Sequence, residues 1–191
     1  MGNHASVTHS LRDIGFRVRV SPEIQVLNEV DVLLLPGVGA FPCAMQALHE
    51  RGLVSYLQDQ AREHRPIIGI CLGMQLLASA SQEHHYTVGL DIIPGKVVPL
   101  TELKWHIGWN TIECVQSDLL LESSDGQAFY FNHSFSYQGP AEYQVAISRH
   151  PTPMASVIRR GKVVGLQFHP EKSQAAGKIL LKNIITGLSR A

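Results

Sequence analysis

Short apolar runs alternate with amphipathic stretches through the first half of the chain. Residues 30–35 (VDVLLL) and 66–70 (PIIGI) are apolar on both faces, which is typical of parallel strands covered by helices. Residues 41–50, 53–63 and 72–80 carry apolar side chains at helical spacing. Because a helix that joins two parallel strands forms a right-handed crossover, this half predicts βαβ units.

The second half contains short strand candidates instead. Its β-branched and aromatic runs lie at residues 96–100, 111–115, 128–131, 144–148 and 155–167. Within the last of these, Arg160-Gly161 separates two β-branched runs and predicts a hairpin turn. These runs predict an antiparallel subsheet beside the parallel core.

The chain closes with an amphipathic helix. Its predicted apolar face consists of Ala176, Ile179, Leu180, Ile184 and Leu188. No linker-like segment divides the chain, and its length suits one unit. The patterns predict a single α/β domain over residues 1–191, with a mostly parallel central sheet, helices on both faces and a small antiparallel subsheet.

Composition narrows the functional classes. The chain has 191 residues with 16 Lys+Arg and 16 Asp+Glu, so it lacks the basic excess that nucleic-acid binding requires. The longest uncharged stretch, residues 66–82, contains Pro, Gly, Gln and Ser. It is shorter than the about 20 apolar residues of a membrane span. Neither nucleic-acid binding nor a membrane-spanning helix is predicted.

The cysteines indicate the redox compartment. Cys43, Cys71 and Cys114 are odd in number and far apart, whereas a disulfide framework or zinc knuckle would show pairs. We therefore expect a reducing, cytoplasmic setting. The first ten residues are polar and contain no secretory apolar core. His84-His85 lacks a third convergent ligand, and neither a metal nor another cofactor is expected.

One cysteine lies in a pattern with chemical meaning. Gly69-Ile70-Cys71-Leu72-Gly73 follows an apolar strand and opens a helix, which is the cysteine version of a nucleophile elbow. Such a turn strains the backbone, and glycine two positions to either side removes a collision. The sulfur is then expected at the carboxyl end of the sheet, beside the Leu72 amide. A small core cysteine after a buried strand is the alternative.

A candidate base follows another strand. His169-Pro170-Glu171 comes directly after the apolar run 163–168. In extended chain, residues i and i+2 project to the same side, so Glu171 is expected to reach the His169 imidazole. A histidine oriented by a carboxylate is the general base that a cysteine nucleophile needs. A surface histidine beside a solvated carboxylate is the alternative.

A third strand ends in Pro36-Gly37-Val38-Gly39. The two glycines leave the amides around Val38 free to turn toward a substrate oxygen. An ordinary turn is the alternative, because Pro-Gly is a common turn pair.

These motifs together resemble one enzyme family. PGVGAF (36–41), GICLGMQ (69–75) and FHPEKS (168–173) are similar to the class I, triad-type glutamine amidotransferases. HIGWN (106–110), YFNHSF (130–135) and SQAAGKILLKNII (173–185) resemble the glutaminase subunits of imidazole glycerol phosphate synthases, from histidine biosynthesis. The resemblance runs over nearly the whole chain and implies a flavodoxin-like fold.

The resemblance implies a thiol-dependent glutaminase. Cys71 would attack the side-chain amide of glutamine, His169 would carry the proton to ammonia, and Glu171 would orient His169. The family's oxyanion and substrate positions correspond to Gly37, Val38, Gly39, Leu72, Gln75, His133, Ser134 and Phe135. For His133, a purely structural role is the alternative.

The resemblance also implies a partner. In the family, ammonia passes directly to a (β/α)8-barrel cyclase subunit that makes imidazole glycerol phosphate and AICAR, and the two subunits form a heterodimer. Asn3, Trp109 and Lys172 match positions that face the barrel, with a core position as the alternative for Trp109. The glutaminase is expected to be nearly idle until the barrel binds its ligand. A peptide flip in the PGVG turn is the expected switch.

Three other functions stay open. One is a glutaminase subunit of a different synthase, although HIGWN argues against it. Another is a stand-alone γ-glutamyl hydrolase with the same Cys-His-Glu site. The last is a truncated, inactive subunit that only binds a partner.

The beginning of the chain departs from the family, which starts with an apolar strand followed by a turn. Here the chain starts inside that turn, at Met1-Gly2-Asn3, so we expect the first strand to be missing through truncation or a misassigned start. An in-frame stop codon immediately upstream of Met1 would rule out the misassigned start.

Loss of an interior strand removes several buried apolar side chains at about 1.5–3 kcal/mol each. We therefore expect the isolated 191-residue chain to have low solubility or to depend on its partner. Scanning calorimetry measures this directly, and a cooperative melt above about 50 °C would contradict the expectation.

Overall fold

The computed structural model describes residues 3–102, 104–149 and 151–190. Its helices are α1 (His4–Asp13), α2 (Ile24–Asn28), α3 (Phe41–Glu50), α4 (Leu53–Arg62), α5 (Leu72–Leu76) and α6 (Gln174–Arg190). Short 3-10 turns lie at Glu122–Ser124, Ala141–Tyr143 and Pro170–Lys172. Of the turn expected at Met1-Gly2-Asn3, only Asn3 lies within the described residues.

The strands of the described residues form one large and two small sheets. They are β1 (Leu33–Gly37), β2 (Ile67–Cys71), β3 (Ala80–Ser81), β4 (Thr87–Val88), β5 (Lys96–Pro99), β6 (His106–Thr111), β7 (Glu113–Cys114), β8 (Ala128–His133), β9 (Phe135–Gln138), β10 (Gln144–Arg149), β11 (Pro153–Arg160) and β12 (Val163–Leu166). The large sheet has the order β1-β2-β12-β11-β10-β7. The order β4-β3-β5-β9 forms the second sheet, and β6 pairs with β8 in the third.

Strand β2 is the centre of the parallel part of the large sheet. It runs parallel to β1 on one side and to β12 on the other, and its five residues are all buried. Ile67 packs into one apolar cluster, while Ile68 and Ile70 pack into another. Because side chains alternate across a strand, the unbroken apolar run of β2 reflects two covered faces.

Helices cover both faces of this sheet. Helices α3 and α4 bury Phe41, Leu48 and Leu57 in the cluster that contains Ile67. Helices α1 and α6 bury Leu11 and Leu180 in the cluster that contains Ile68. The predicted α/β fold class, with a small antiparallel sheet, is confirmed; β6 and β8 form an antiparallel pair, while the four-stranded sheet also contains the parallel pair β3–β5.

Two local predictions are wrong. The helix predicted over 72–80 ends at Leu76, because Ser79 donates its amide to the Gly95 carbonyl and Ala80 starts β3 beside β5. Ile179, assigned to the buried face of α6, is 52% exposed. The buried face of α6 contains Leu180, Leu181, Ile184, Ile185 and Leu188, because α6 is rotated relative to the predicted stripe.

The predicted hairpin turn is confirmed, whereas the strands over residues 106–115 differ from the prediction. The hairpin turn at Arg160-Gly161 is confirmed, since β11 ends at Arg160 and β12 begins at Val163. The HIGWN segment, for which the apolar pattern predicts no strand, forms most of β6. The strand expected at 111–115 is divided between the end of β6 and the short β7.

Two glycines permit the sharp turn from β2 into α5. A Cβ atom at Gly73 would lie 1.7 Å from the Leu35 carbonyl oxygen of β1. A Cβ atom at Gly69 would lie 2.6 Å from the Gly73 carbonyl oxygen. Between them, Cys71 has φ 54° and ψ −109°, a conformation that L-residues seldom adopt. The collision expected at both glycine positions is therefore confirmed.

We expect Gly73→Ala to lower the free energy of unfolding by more than about 3 kcal/mol, because a rigid carbonyl occupies the space of the new methyl group. Gly161→Ala is the matched control. Its φ of +58° is unfavourable for alanine, but nothing lies within 4 Å of the new atom, so about 1 kcal/mol is expected. Urea denaturation measures both values, and equal losses would contradict the packing argument.

Candidate active site

Cys71 lies where β2 ends and α5 begins, and the residue is 6% exposed. Its thiol points at the Asn132 carbonyl of β8, with 3.8 Å between the sulfur and the oxygen. The side-chain amide nitrogen of Gln167 lies 4.0 Å from the same sulfur. The strained elbow therefore directs the sulfur toward the ends of β8 and β12, as expected for a nucleophile at the carboxyl edge of a sheet.

His169 is fixed by backbone contacts between β8 and the 3-10 turn. Its amide donates to the Tyr130 carbonyl at 2.8 Å, and the Ser173 hydroxyl donates to the His169 carbonyl at 2.7 Å. The same hydroxyl accepts the Tyr130 amide at 3.0 Å. Position 177 of α6 must be glycine, because a Cβ atom there would lie 1.9 Å from the Pro170 carbonyl oxygen. These contacts hold the imidazole in one place beside Cys71.

Glu171 reaches His169, but by a different route from the one predicted. The His169 Nδ1 atom donates to Glu171 Oε1 at 2.8 Å, and both side chains are almost fully buried. The backbone is not extended here, because Pro170–Lys172 forms a 3-10 turn. The turn curls the carboxylate back under the ring. Asn3 donates its side-chain amide to the same carboxylate oxygen at 2.5 Å.

The charges of this cluster shift two pKa values. Burial lowers the pKa of His169, but hydrogen bonds to Cys71 and Glu171, and their charges, outweigh it and raise the pKa to about 9. Burial raises the pKa of Glu171. The hydrogen bond and charge of His169, together with the Asn3 amide, lower this pKa by a larger amount, so the net shift is downward. The cluster therefore favours a protonated imidazole between two acceptors.

A chain of amides lies behind Cys71. Gln75 is buried in α5 and donates its side-chain amide to the Phe135 carbonyl at 3.0 Å and to Gln167 Oε1 at 3.2 Å. Gln167 is fully buried, and its own amide nitrogen faces the Cys71 sulfur. Two predicted pocket residues, Gln75 and Phe135, are thus in contact, and the link to the sulfur is Gln167.

His133 belongs to the same neighbourhood. Its Nδ1 atom lies 2.8 Å from the Phe135 carbonyl oxygen, and its Nε2 atom lies 2.9 Å from His106 Nδ1. Burial lowers the pKa of His133 to about 4; nearby His106 and His169 also lower it, while the Phe135 carbonyl opposes the shift. Its ring is therefore neutral at physiological pH. The other predicted pocket residue, Ser134, accepts the Leu100 amide through its carbonyl at 3.0 Å.

The PGVG turn lies beside the elbow. Gly37 pairs with Cys71 in the parallel register of β1 and β2, and a Cβ atom at Gly37 would lie 3.0 Å from the Leu72 Cβ atom. Val38 is 43% exposed. Gly39 has φ +108°, with nothing within 4 Å of its Cβ position. The turn therefore starts against the elbow and continues into open space.

The residues expected at a partner interface separate into two groups. Trp109 and Lys172 both lie against Tyr130: the ring centroids of Trp109 and Tyr130 are 6.1 Å apart, and Lys172 Nζ lies 5.7 Å from the Tyr130 centroid. Trp109 is 49% exposed, so the core alternative does not describe it. Asn3 instead contacts the catalytic candidates through Glu171.

Sequence reasoning missed three residues of the site. Gln167 is a polar residue inside the apolar run of β12 and its extension, and a buried amide in such a run needs hydrogen-bond partners. Asn132 contributes only its backbone carbonyl, which no side-chain pattern reveals. Glu83 accepts the Phe41 amide at 2.8 Å and so caps α3 directly after the PGVG turn.

Comparisons with known proteins identify the family of this chain. The family model described as glutamine amidotransferase class-I matches residues 1–186. The chain belongs to the class I glutamine amidotransferases. Among curated relatives, the imidazole glycerol phosphate synthase subunit HisH of Streptococcus gordonii is 42% identical over 185 residues, which cover 95% of this chain and 89% of the relative. The HisH subunit of Carboxydothermus hydrogenoformans is 40% identical over 187 residues, which cover 96% and 94%.

Solved structures share the fold. A crystal structure described as a glutamine amidotransferase has a TM-score of 0.78 at 17% identity, covering all of this chain and 95% of the other. PurLQS from Thermotoga maritima has a TM-score of 0.74 at 18% identity, covering 96% and 92%. The sheet that carries Cys71 is thus the sheet of the amidotransferase fold.

The described residues of this amidotransferase contain neither a metal-ligand cluster nor a membrane-spanning helix. Within residues 3–102, 104–149 and 151–190, no group of three or more His, Cys, Asp or Glu side chains is arranged to hold a metal ion. Over the same ranges, no helix is long and apolar enough to cross a membrane.

We expect an NMR titration of His169 to give a midpoint near pH 9, and Glu171→Gln to lower it, because the variant removes a buried negative charge. Glu113→Gln on the distant β7 is the matched control and should leave the midpoint unchanged. A wild-type midpoint at the ordinary value of 6.5 would contradict the assigned cluster.

The same shift makes stability depend on pH. The folded protein binds the His169 proton more tightly than the unfolded chain does, so this stabilisation is complete below about pH 6.5 and is lost as pH rises through about 9. Glu171 acts in the opposite direction, because its lowered pKa gives stabilisation at neutral pH that is lost in acid. Urea midpoints in Glu171→Gln should therefore vary less between pH 6.5 and 9 than those of the wild type.

Proposed function

We propose that this amidotransferase is the glutaminase subunit of an imidazole glycerol phosphate synthase. It hydrolyses glutamine to glutamate and ammonia and passes the ammonia to a cyclase subunit in histidine biosynthesis. The observation that carries the proposal is the buried cluster of Cys71, His169 and Glu171, because it supplies a nucleophile, a proton carrier and an orienting carboxylate. The HisH relatives support the choice of synthase.

In the first step, the Cys71 sulfur attacks the side-chain carbonyl carbon of glutamine. The negative charge that develops on the carbonyl oxygen requires donors already in place. The Leu72 amide at the start of α5 and the amides of Val38 or Gly39 are our candidates, since the PGVG turn starts against the elbow. Loss of one such donor typically costs about 3 kcal/mol of barrier.

In the second step, His169 gives its proton to the amide nitrogen, the carbon–nitrogen bond breaks and ammonia leaves. The raised pKa of His169 suits this step, because the imidazole carries the proton at neutral pH. The neutral imidazole then takes a proton from water, which attacks the glutamyl thioester. The carbon–sulfur bond then breaks, glutamate leaves, and the Cys71 sulfur returns as a thiolate beside the re-protonated His169. Glu171 holds the ring so that Nε2 faces the sulfur throughout.

Substrate recognition is assigned to the groups around the sulfur. Gln75 lies on α5, and residues 133–135 span the end of β8, the connecting Ser134 and the start of β9. Hydrogen bonds join Gln75 and His133 to the Phe135 carbonyl. A pocket of backbone carbonyls and amides suits the polar ends of glutamine, which need both donors and acceptors.

The partner in this proposal is a (β/α)8-barrel cyclase in a heterodimer. Trp105, Ile107 and Trp109 are 60%, 59% and 49% exposed, and they lie on one side of the β6 segment. Exposed aromatic side chains grouped in this way are typical of protein interfaces. Lys172 adds a positive charge beside Tyr130 at the edge of the same surface. Direct transfer protects ammonia from bulk water, and a flip of the PGVG turn would link glutamine hydrolysis to the barrel's ligand.

Two general assignments belong with this function. We place the protein in the cytoplasm, because Cys43, Cys71 and Cys114 are all free thiols. We also treat the whole chain as one domain, because both apolar clusters lie against the same large sheet.

The proposal predicts that Cys71→Ala abolishes glutamine-dependent synthesis of imidazole glycerol phosphate in the presence of the cyclase subunit. Ammonia-dependent synthesis by the cyclase should be unchanged, because the variant removes only the nucleophile. Cys43→Ala, which changes an exposed thiol on α3, is the matched control and should retain both activities.

The same assay separates the other functions. Full glutaminase turnover without any cyclase subunit would identify a stand-alone hydrolase. No turnover with or without the cyclase and its ligand would indicate an inactive binding subunit. Either result would overturn the proposed function.

A further inference from the structure

A line of buried polar groups begins on β6 and ends at the Phe135 carbonyl. Asn110 Nδ2 lies 2.6 Å from His106 Nε2, and His106 Nδ1 lies 2.9 Å from His133 Nε2. His133 Nδ1 then lies 2.8 Å from the Phe135 carbonyl oxygen. His106 is 2% exposed and His133 is 7% exposed. Two buried imidazoles in direct contact are costly unless every nitrogen has a matching partner.

The carbonyl at one end decides where each proton lies. Because the Phe135 carbonyl can only accept, His133 Nδ1 must carry a hydrogen. The low pKa of His133 keeps its ring neutral, so Nε2 accepts and His106 Nδ1 donates. His106 Nε2 then accepts from the Asn110 amide. Both rings are therefore held in the tautomer protonated at Nδ1.

The line continues from the Phe135 carbonyl to the catalytic sulfur. Gln75 donates to the same carbonyl oxygen at 3.0 Å and also to Gln167 Oε1 at 3.2 Å. This second bond fixes the orientation of the Gln167 amide, so its nitrogen, not its oxygen, faces Cys71 at 4.0 Å. Each donor in the series thus determines the next.

We propose that His106 is a positioning residue for Cys71. It fixes the tautomer of His133, which holds the Phe135 carbonyl in place. That carbonyl orders Gln75, and Gln75 orients Gln167 so that an amide N–H is directed at the sulfur. His106 reaches the candidate pocket through its hydrogen bond to His133. It acts through the oriented amide, which stabilises negative charge on sulfur.

Packing strengthens this role. The His106 ring stacks on Phe131, with 4.5 Å between the ring centroids, and Phe131 contacts Phe168 edge to face at 5.5 Å. Phe168 directly precedes His169. The aromatic stack therefore restrains the His106 ring on the same side of the molecule as the catalytic histidine, and a substitution must separate packing from hydrogen bonding.

Two substitutions make this separation. His106→Phe keeps an aromatic ring against Phe131 but removes the donor to His133. His106→Asn places an amide N–H close to the position of the imidazole Nδ1 and so restores the donor. Leu57→Ala, in helix α4, is the control for a general loss of stability, because Leu57 belongs to the apolar cluster that contains neither Cys71 nor Phe131.

The main measurement is the rate at which iodoacetamide alkylates Cys71 at pH 7 in the folded chain, followed by mass spectrometry. We expect a fall of about tenfold in His106→Phe, recovery to within about threefold of wild type in His106→Asn, and no change in Leu57→Ala. Wild-type reactivity in folded His106→Phe, or equal loss in His106→Asn, would overturn the inference.

The protonation pattern gives a test that needs no reactivity. In ¹⁵N-histidine-labelled protein, His106 and His133 should both be protonated at Nδ1, whereas free imidazole side chains favour Nε2. Asn110→Leu, at the half-buried end of the line, should release the His106 tautomer even if His106→Phe does not fold. Nε2 protonation of His133 in the wild type would refute the lock.

A third experiment measures glutamine hydrolysis and rests on the proposed function. With the cyclase subunit and its ligand present, His106→Phe should lower kcat for glutamine by about tenfold, and His106→Asn should restore most of it. If alkylation and tautomers behave as expected but no glutamine is hydrolysed by the wild type, the proposed function fails and the positioning role stands. If the wild type hydrolyses glutamine but folded His106→Phe is alkylated at the wild-type rate, only the positioning role is refuted.

Discussion

The close approach of Gly73 to the Leu35 carbonyl is the contact on which the rest of the site depends. It allows the helix after β2 to start within one residue of the strand, and this leaves Cys71 in a conformation that the chain would otherwise avoid. The surrounding sheet compensates for the strain, since β2 is buried along its whole length between two parallel neighbours. The strained turn that directs the Cys71 sulfur therefore requires a rigid parallel sheet, and the elbow could not persist on an isolated hairpin.

The charge of His169 is determined by two opposing effects, its burial and its pairing with Glu171 and Cys71. An isolated buried imidazolium would lose its proton, because desolvation disfavours the charged form. In this protein the carboxylate of Glu171 and the sulfur of Cys71 lie on either side of the ring, and their combined effect exceeds the desolvation cost. Removal of one partner from such a buried pair generally costs about 3–5 kcal/mol, because the remaining charge is left buried and unpaired.

The sequence was informative where chemistry and local backbone share a short segment. The glycines at positions 69 and 73 correctly predict the elbow. The contact between Glu171 and His169 is also predicted, but the 3-10 turn that produces it is not. Patterns of this kind fail for Gln167 and His106, because their partners lie on α5 and β8, far along the chain. The misplaced Ile179 has a similar cause, since the rotation of α6 is set by its fit to α1 and the sheet. Hydrophobic periodicity records which residues can be buried, but tertiary packing decides the outcome.

Strand β6 shows why a buried polar line is compatible with a specific fold. Its alternation places His106 and Asn110 on the inner side, while Ile107 and Trp109 face outward. A one-residue slip against β8 would expose the imidazoles' partners and bury Trp109, so the hydrogen bonds and the pairing of His106 with His133 define the same register. Apolar side chains at positions 106 and 133 would fill the space but would tolerate small shifts of β6. Because the outer and inner faces belong to one strand, the same backbone pairing positions the exposed aromatic surface and the buried hydrogen-bond line.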